Sequence, residues 1–135
     1  MSNNKFKVAK TLDSDSLCWM VEDTDLETRR VVAERVNPNR LPEMMKDEDQ
    51  WVRCAVAGRI DPSRLSEMME DSSENVRSAV ADRIDPHCLL KMMQDKDPGV
   101  RCVVAKRIPL DQLRGMLKDE DPWVRSTAEK RLTSR

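Results

Sequence analysis

An internal period of 24 residues constrains this chain more than any other feature. Written from Asp13, it reads DSDSLCWMVEDTDLETRRVVAERV, NPNRLPEMMKDEDQWVRCAVAGRI, DPSRLSEMMEDSSENVRSAVADRI, DPHCLLKMMQDKDPGVRCVVAKRI and PLDQLRGMLKDEDPWVRSTAEKRL, with no insertion or deletion before Leu132. A unit this short cannot bury an apolar face alone, so neighbouring copies must stack and supply one another's core. Residues 1–12 hold Val8, Ala9 and Leu12 in register with the second half of a unit and read as a degenerate half-repeat, while 133–135 form a tail.

Each unit carries two helical signals. The first starts at Asn37-Pro38, Asp61-Pro62 or Asp85-Pro86, where a side-chain oxygen caps free amides and proline presets the first helical residue. Leu65, Met68 and Met69 follow at i, i+3 and i+4, as do Leu41, Met44 and Met45, and Leu89, Met92 and Met93, a spacing that predicts one buried face. The second helix is announced by Asp49, Asp97-Pro98 or Asp121-Pro122 and continues with Val52, Ala55, Val56 and Ile60. Two helices and their turns in 24 residues leave each only about two to three turns, short enough to depend on stacking. The expected fold is all-α, a right-handed solenoid of about five two-helix repeats, α paired with 3₁₀ or with short α. No segment alternates like a strand, and no L-x-L-x-x-N pattern of the sheet-forming leucine-rich horseshoe occurs.

The unit D-x-D-x-x-V-R-x-x-V-A-x-R-I followed by L-x-x-M-M resembles the leucine-rich repeat variant family, HEAT-like short helical repeats, over residues 13–132. The resemblance implies a superhelix of alternating α and 3₁₀ or short α helices. Some members of that family carry an N-terminal cysteine cluster holding an iron–sulphur centre and occur in nitrogen-fixing bacteria. Residues 1–17 here contain no cysteine, so the cluster does not carry over, and no cofactor or metal is expected.

Composition narrows the function classes. With 24 basic and 25 acidic residues in 135, the net charge is −1, which argues against a chain devoted to coating nucleic acid or an anionic membrane. Three glycines, one histidine and no tyrosine leave little for a phosphate-cradling loop or for general acid–base chemistry, so no enzyme is expected. The opening MSNNKFKVAKTL lacks the apolar stretch of a secretory signal, which makes the cytoplasm the expected compartment. Cys18, Cys54, Cys88 and Cys102 include no CxxC pair and read as reduced thiols. Cys54 and Cys102 hold one repeat position two layers apart, roughly 16–20 Å, too far for a disulfide or a shared metal. His87 and Cys88 are adjacent but provide only two ligands.

Two arginine rows recur, Arg29, Arg53, Arg77, Arg101 and Arg125, and Arg35, Arg59, Arg83, Arg107 and Arg131, beside an acidic row at Asp23, Asp47, Asp71, Asp95 and Asp119. A turn carboxylate accepting guanidinium bonds from its own or the adjacent layer explains these rows and predicts that Arg77 bonds Asp71 or Asp95. The other reading makes the arginines a phosphate-tracking stripe. Methionines 44, 45, 68, 69, 92, 93 and 116 fall at apolar helical positions and read as core. Ala33, Ala57, Ala81 and Ala105 share a position that becomes Glu129 in the last unit, which predicts buried alanines and an exposed glutamate.

Trp51 and Trp123 share a position filled elsewhere by Glu27, Asn75 and Gly99, and Trp19 one filled by Glu43, Glu67, Lys91 and Gly115. Rings at places that accept Glu, Asn or Gly are not demanded by the repeat, so Trp19, Trp51 and Trp123 are the candidate protein-binding residues. Charge is uneven: repeat one has seven acids and three bases, net −4, and repeat four three acids and five bases, net +2, a polarity that leaves self-association open. The sequence thus reads as a non-catalytic protein-binding repeat module, a scaffold or adaptor whose partner is another protein. The alternatives are a nucleic-acid binder using the arginine rows and, through the resemblance, an enzyme-assembly factor linked to nitrogen fixation.

Overall fold

A computed structural model describes residues 2–134; Met1 of the half-repeat and Arg135 of the tail lie outside the described residues. The helices group into two compact units, the first ending at Asp61 and the second beginning at Pro62. Among the described residues every regular element is helical.

The first unit contains α1 (Ser2–Thr11), the 3₁₀ helix η1 (Ser16–Met20), α2 (Leu26–Arg35), η2 (Pro38–Met44) and α3 (Gln50–Ala57). The second contains η3 (Pro62–Met68), α4 (Glu74–Ala81), η4 (Pro86–Met92), α5 (Pro98–Arg107), α6 (Leu110–Leu113) running into η5 (Arg114–Met116), and α7 (Pro122–Thr133). In the first unit α2 packs on both α1 and α3, and in the second α5 packs on both α4 and α7.

Of the two options for the first helical signal, the first four repeats adopt 3₁₀, and the fifth joins a single short α turn, α6, to η5. A 3₁₀ helix rises about 2.0 Å per residue against 1.5 Å for α, so seven residues of η2 span about 14 Å and eight of α3 about 12 Å. The tighter element thus matches the reach of its longer neighbour within 24 residues. It also changes which residues are buried. Side chains three apart eclipse in a 3₁₀ helix, so Leu41 and Met44, Leu65 and Met68, and Leu89 and Met92 all point into the core. The i+4 residue turns away from that face: Met69, Met93 and Leu117 are half-buried, although Met45 is buried. The expectation of one face for all three residues is corrected accordingly.

In the α helices Val52 and Val56, Val76 and Val80, and Val100 and Val104 are wholly inaccessible. The i+3 residue of that set, Ala55, is only half-buried. The alanine two positions on is the buried one: Ala33, Ala57, Ala81 and Ala105 are fully enclosed, while Glu129 in α7 is exposed. Five of the α helices, α2, α3, α4, α5 and α7, open on a capping side chain: Asp25 accepts from the Thr28 amide, Asp49 from Val52, Ser73 from Asn75, Asp97 from Val100, and Asp121 from Trp123 and Val124.

Candidate functional site

The first arginine row and the acidic row form an internal ladder. Arg77 Nε donates to Asp95 Oδ2 at 2.8 Å and its Nη2 to Asp95 Oδ1 at 3.1 Å, while Nη1 donates to the Asp71 carbonyl oxygen at 2.8 Å. Arg29 repeats the fork on Asp47 and Arg101 on Asp119. Each carboxylate also accepts the amide two residues on, Asp49 at Asp47, Asp97 at Asp95 and Asp121 at Asp119. One aspartate therefore ties its own turn to the arginine of the preceding layer, and the arginine ties its fork to a carbonyl of its own turn. Arg29, Arg77 and Arg101 are buried, and the carboxylate hydrogen bond raises the pKa of each above the ordinary guanidinium value. Burial pushes the Asp119 carboxyl up, but the Arg101 fork and the Asp121 amide outweigh it and hold the group below the ordinary carboxylate range.

At the N-terminal end Lys5 stands 18 residues before Asp23, the separation of Arg29 from Asp47, and its ammonium lies 3.3 Å from the Asp23 carboxylate. Residues of α1 thus meet the next layer as a repeat would.

The second arginine row caps helix C-termini. Arg59 donates to the Ala33 and Val36 carbonyl oxygens at 2.9 and 2.8 Å, and Arg107 to those of Ala81 and Ile84 at 2.7 and 2.8 Å. Arg131 does the same at Ala105 and Ile108, and Arg35 reaches the Ala9 carbonyl. A guanidinium from the next layer thereby satisfies carbonyls that a helix end leaves without amide partners, and it meets the negative end of the helix dipole. Both rows are committed to the fold where these bonds are formed, so those arginines do not offer a stripe of phosphate-seeking forks.

The tryptophans lie outside that framework. Trp19 is 65% exposed, Trp51 47% and Trp123 74%, well above the other large apolar side chains of the described residues apart from Leu90 and Leu110. Trp51 edges a groove of about 570 Å³ beside α2 and α3, floored by Cys54, Ala55 and Gly58 and flanked by Arg30, Glu34 and Arg59. Arg30 is paired there with Asp49 at 3.2 Å and Glu27 at 3.5 Å. Burial raises the Asp49 carboxyl, but Arg30 and the Val52 amide lower it further, so it sits below its ordinary value. Trp123 edges the corresponding groove of the second unit, about 620 Å³, with Lys106, Thr127, Lys130 and Arg131. The repeat register places Trp51 and Trp123 over equivalent grooves, whereas Trp19 lies in η1, a different part of the unit. Sequence reasoning missed the lysines of the second groove. The signal was a row running Glu34, Gly58, Asp82, Lys106 and Lys130, in which the sign of charge changes along the repeats.

None of the four cysteines is in a disulfide, each is half-buried, and burial pushes the Cys102 thiol up, away from reactivity. No group of three potential metal ligands converges among the described residues. No described helix is long and apolar enough to cross a membrane.

No family model and no curated protein matches the chain. Among solved structures it is similar to one described as a leucine-rich repeat variant with a novel repetitive protein structural motif. That chain is 37% identical, with a TM-score of 0.84 over 89% of the present sequence. The present chain spans 52% of that protein's length. The recurring V-R-x-x-V-A-x-R-I unit, its α and 3₁₀ helices and this shared fold bear out the resemblance to the leucine-rich repeat variant family of helical repeat proteins.

Proposed function

We propose that the chain is a non-catalytic protein-binding repeat module of the cytoplasm, its repeats spanning residues 13–132, with Trp19, Trp51 and Trp123 as the side chains a partner protein engages. The observation that carries this reading is the exposure of three indole rings at positions where sister repeats place Glu, Asn, Lys or Gly. A ring left in water gains nothing for the fold, whereas the same ring desolvated in an interface carries a disproportionate share of binding energy. The arginine rows, on which a nucleic-acid reading rested, are instead spent on Asp47, Asp95, Asp119 and on helix-end carbonyls.

Immobilised wild-type chain and a W19A/W51A/W123A variant, exposed to the same cell extract, provide the test, followed by calorimetry with each purified captured protein. A partner retained by the wild type and lost by the variant, with helical circular dichroism unchanged, supports the reading. Equal capture by both, or capture of nucleic acid alone, contradicts it.

A further inference from the structure

We infer that the Trp123 groove is the subsite for a short acidic segment of the partner, one that carries two carboxylates and an apolar side chain within a few residues. This assignment rests on the protein-binding reading and specifies its chemistry. The groove presents donors and no carboxylate among the described residues. Lys106 and Lys130 are exposed, one from α5 and one from α7, and neither forms an ion pair among the described residues. Arg131 spends its Nη1 on the Ala105 and Ile108 carbonyls, which fixes its guanidinium at the wall. The hydroxyls are already used as donors within α7: Thr127 to the Trp123 carbonyl at 2.9 Å, Thr133 to Glu129 at 3.0 Å, and Ser134 to Lys130 at 2.7 Å. What remains for a ligand is two ammonium groups, the outer guanidinium nitrogens and the indole.

The equivalent groove beside Trp51 shows that this charge is not a property of the repeat. There Glu34 lines the wall, Arg30 is neutralised by Asp49, and Arg59 is held by two carbonyls. In the preceding layer Asp82, the C-cap of α4, holds the position of Lys106 and Lys130, so the cationic stretch covers only two adjacent layers, about 8–10 Å at ordinary helix spacing. Extended chain advances about 3.3 Å per residue, so two carboxylates three residues apart match two lysines one layer apart. A nucleic-acid strand gains its affinity from several phosphates neutralised along a continuous track, which two lysines cannot provide.

The probe is a fluorescein-labelled peptide with two Glu and one Phe in a Gly-Ser background, read by anisotropy at low salt, beside its Lys-for-Glu counterpart and a short single-stranded oligothymidylate. The expected result is saturable binding of the acidic peptide alone, weakened about tenfold or more by K106E/K130E, less by K106S/K130S, and unchanged by reversal of the exposed Lys46. W123A should weaken it with helicity retained. Absence of saturable binding, indifference to both lysine pairs, equal binding of the basic peptide, or tighter binding of the oligothymidylate would each overturn the assignment. If the peptide fails while the tryptophan variant still releases a captured protein, the acidic assignment alone falls. If capture is also indifferent to the tryptophans, the protein-binding reading falls with it.

Discussion

Asp95→Ala removes one rung of the ladder, and the structure sets the size of the effect. The Arg77 side chain is 6% exposed and that of Asp95 9%, so little solvent screening reduces the loss. Without the carboxylate, Arg77 keeps its bonds to the Asp71 and Ser72 carbonyls at 2.8 and 3.3 Å, while Nε and Nη2 are left buried and unmatched. The Asp97 amide also loses its acceptor. Removing one partner of a buried pair typically costs about 3–5 kcal/mol. For a chain of this size that is a fall of about 10–20 °C in thermal midpoint. Arg40→Ala serves as the control, because Arg40 and Glu43 pair with side chains 40% and 45% exposed, and exposed pairs contribute about 0.2–1 kcal/mol. Circular dichroism melts and urea titrations read both. A double variant, R77M/D95A, should recover part of the loss, since it leaves no buried charge unmatched. If D95A costs no more than R40A, the ladder is decoration and the reasoning fails.

Two other outcomes follow from the same geometry. Because the Asp119 carboxyl is held below its ordinary range, its contribution to stability is fully present above the unfolded value of about 3.9 and is lost as pH falls through the lower folded value. Acid titration of wild type against Asp119→Asn should show the wild-type advantage shrinking toward low pH, and an advantage growing there would contradict the sign. Ala105→Leu forces extra methylenes into a fully enclosed site and should cost about 1–3 kcal/mol or more, whereas Glu129→Leu at the same repeat position is exposed and should stay within about 0.5 kcal/mol. Urea midpoints separate the two, and comparable losses would show that the last repeat is enclosed like the others.

The period made most of this legible, because any contact formed in every layer leaves two rows with a constant separation. Arg77 with Asp95 is readable for that reason: fork and carboxylate recur 18 residues apart. The second arginine row leaves no such trace, since its acceptors at Ala33 and Val36 are backbone oxygens, which every residue carries. Helix type was open for a similar reason, and Leu65, Met68 and Met69 fit an α face as well as a 3₁₀ edge. The half-exposure of Met69 follows from the tighter winding, on which the spacing is silent. Lys5 shows the limit of residue identity: it replaces the arginine of the ladder with a point charge at 3.3 Å from Asp23, and only the register reveals the equivalence. The tryptophans stood out because they interrupt the repeat, but their grooves depend on how adjacent α helices pack.

Tryptophans that serve a partner and not the fold can be removed without unfolding the free protein. Thermal and urea stabilities of W19A, W51A and W123A, measured singly on the free protein, test it most directly. Each variant should stay within about 1 kcal/mol of wild type, as expected for exposed side chains. A loss of about 3–5 kcal/mol at any of the three, the cost of removing a core ring, would make that tryptophan a packing residue and contradict the claim.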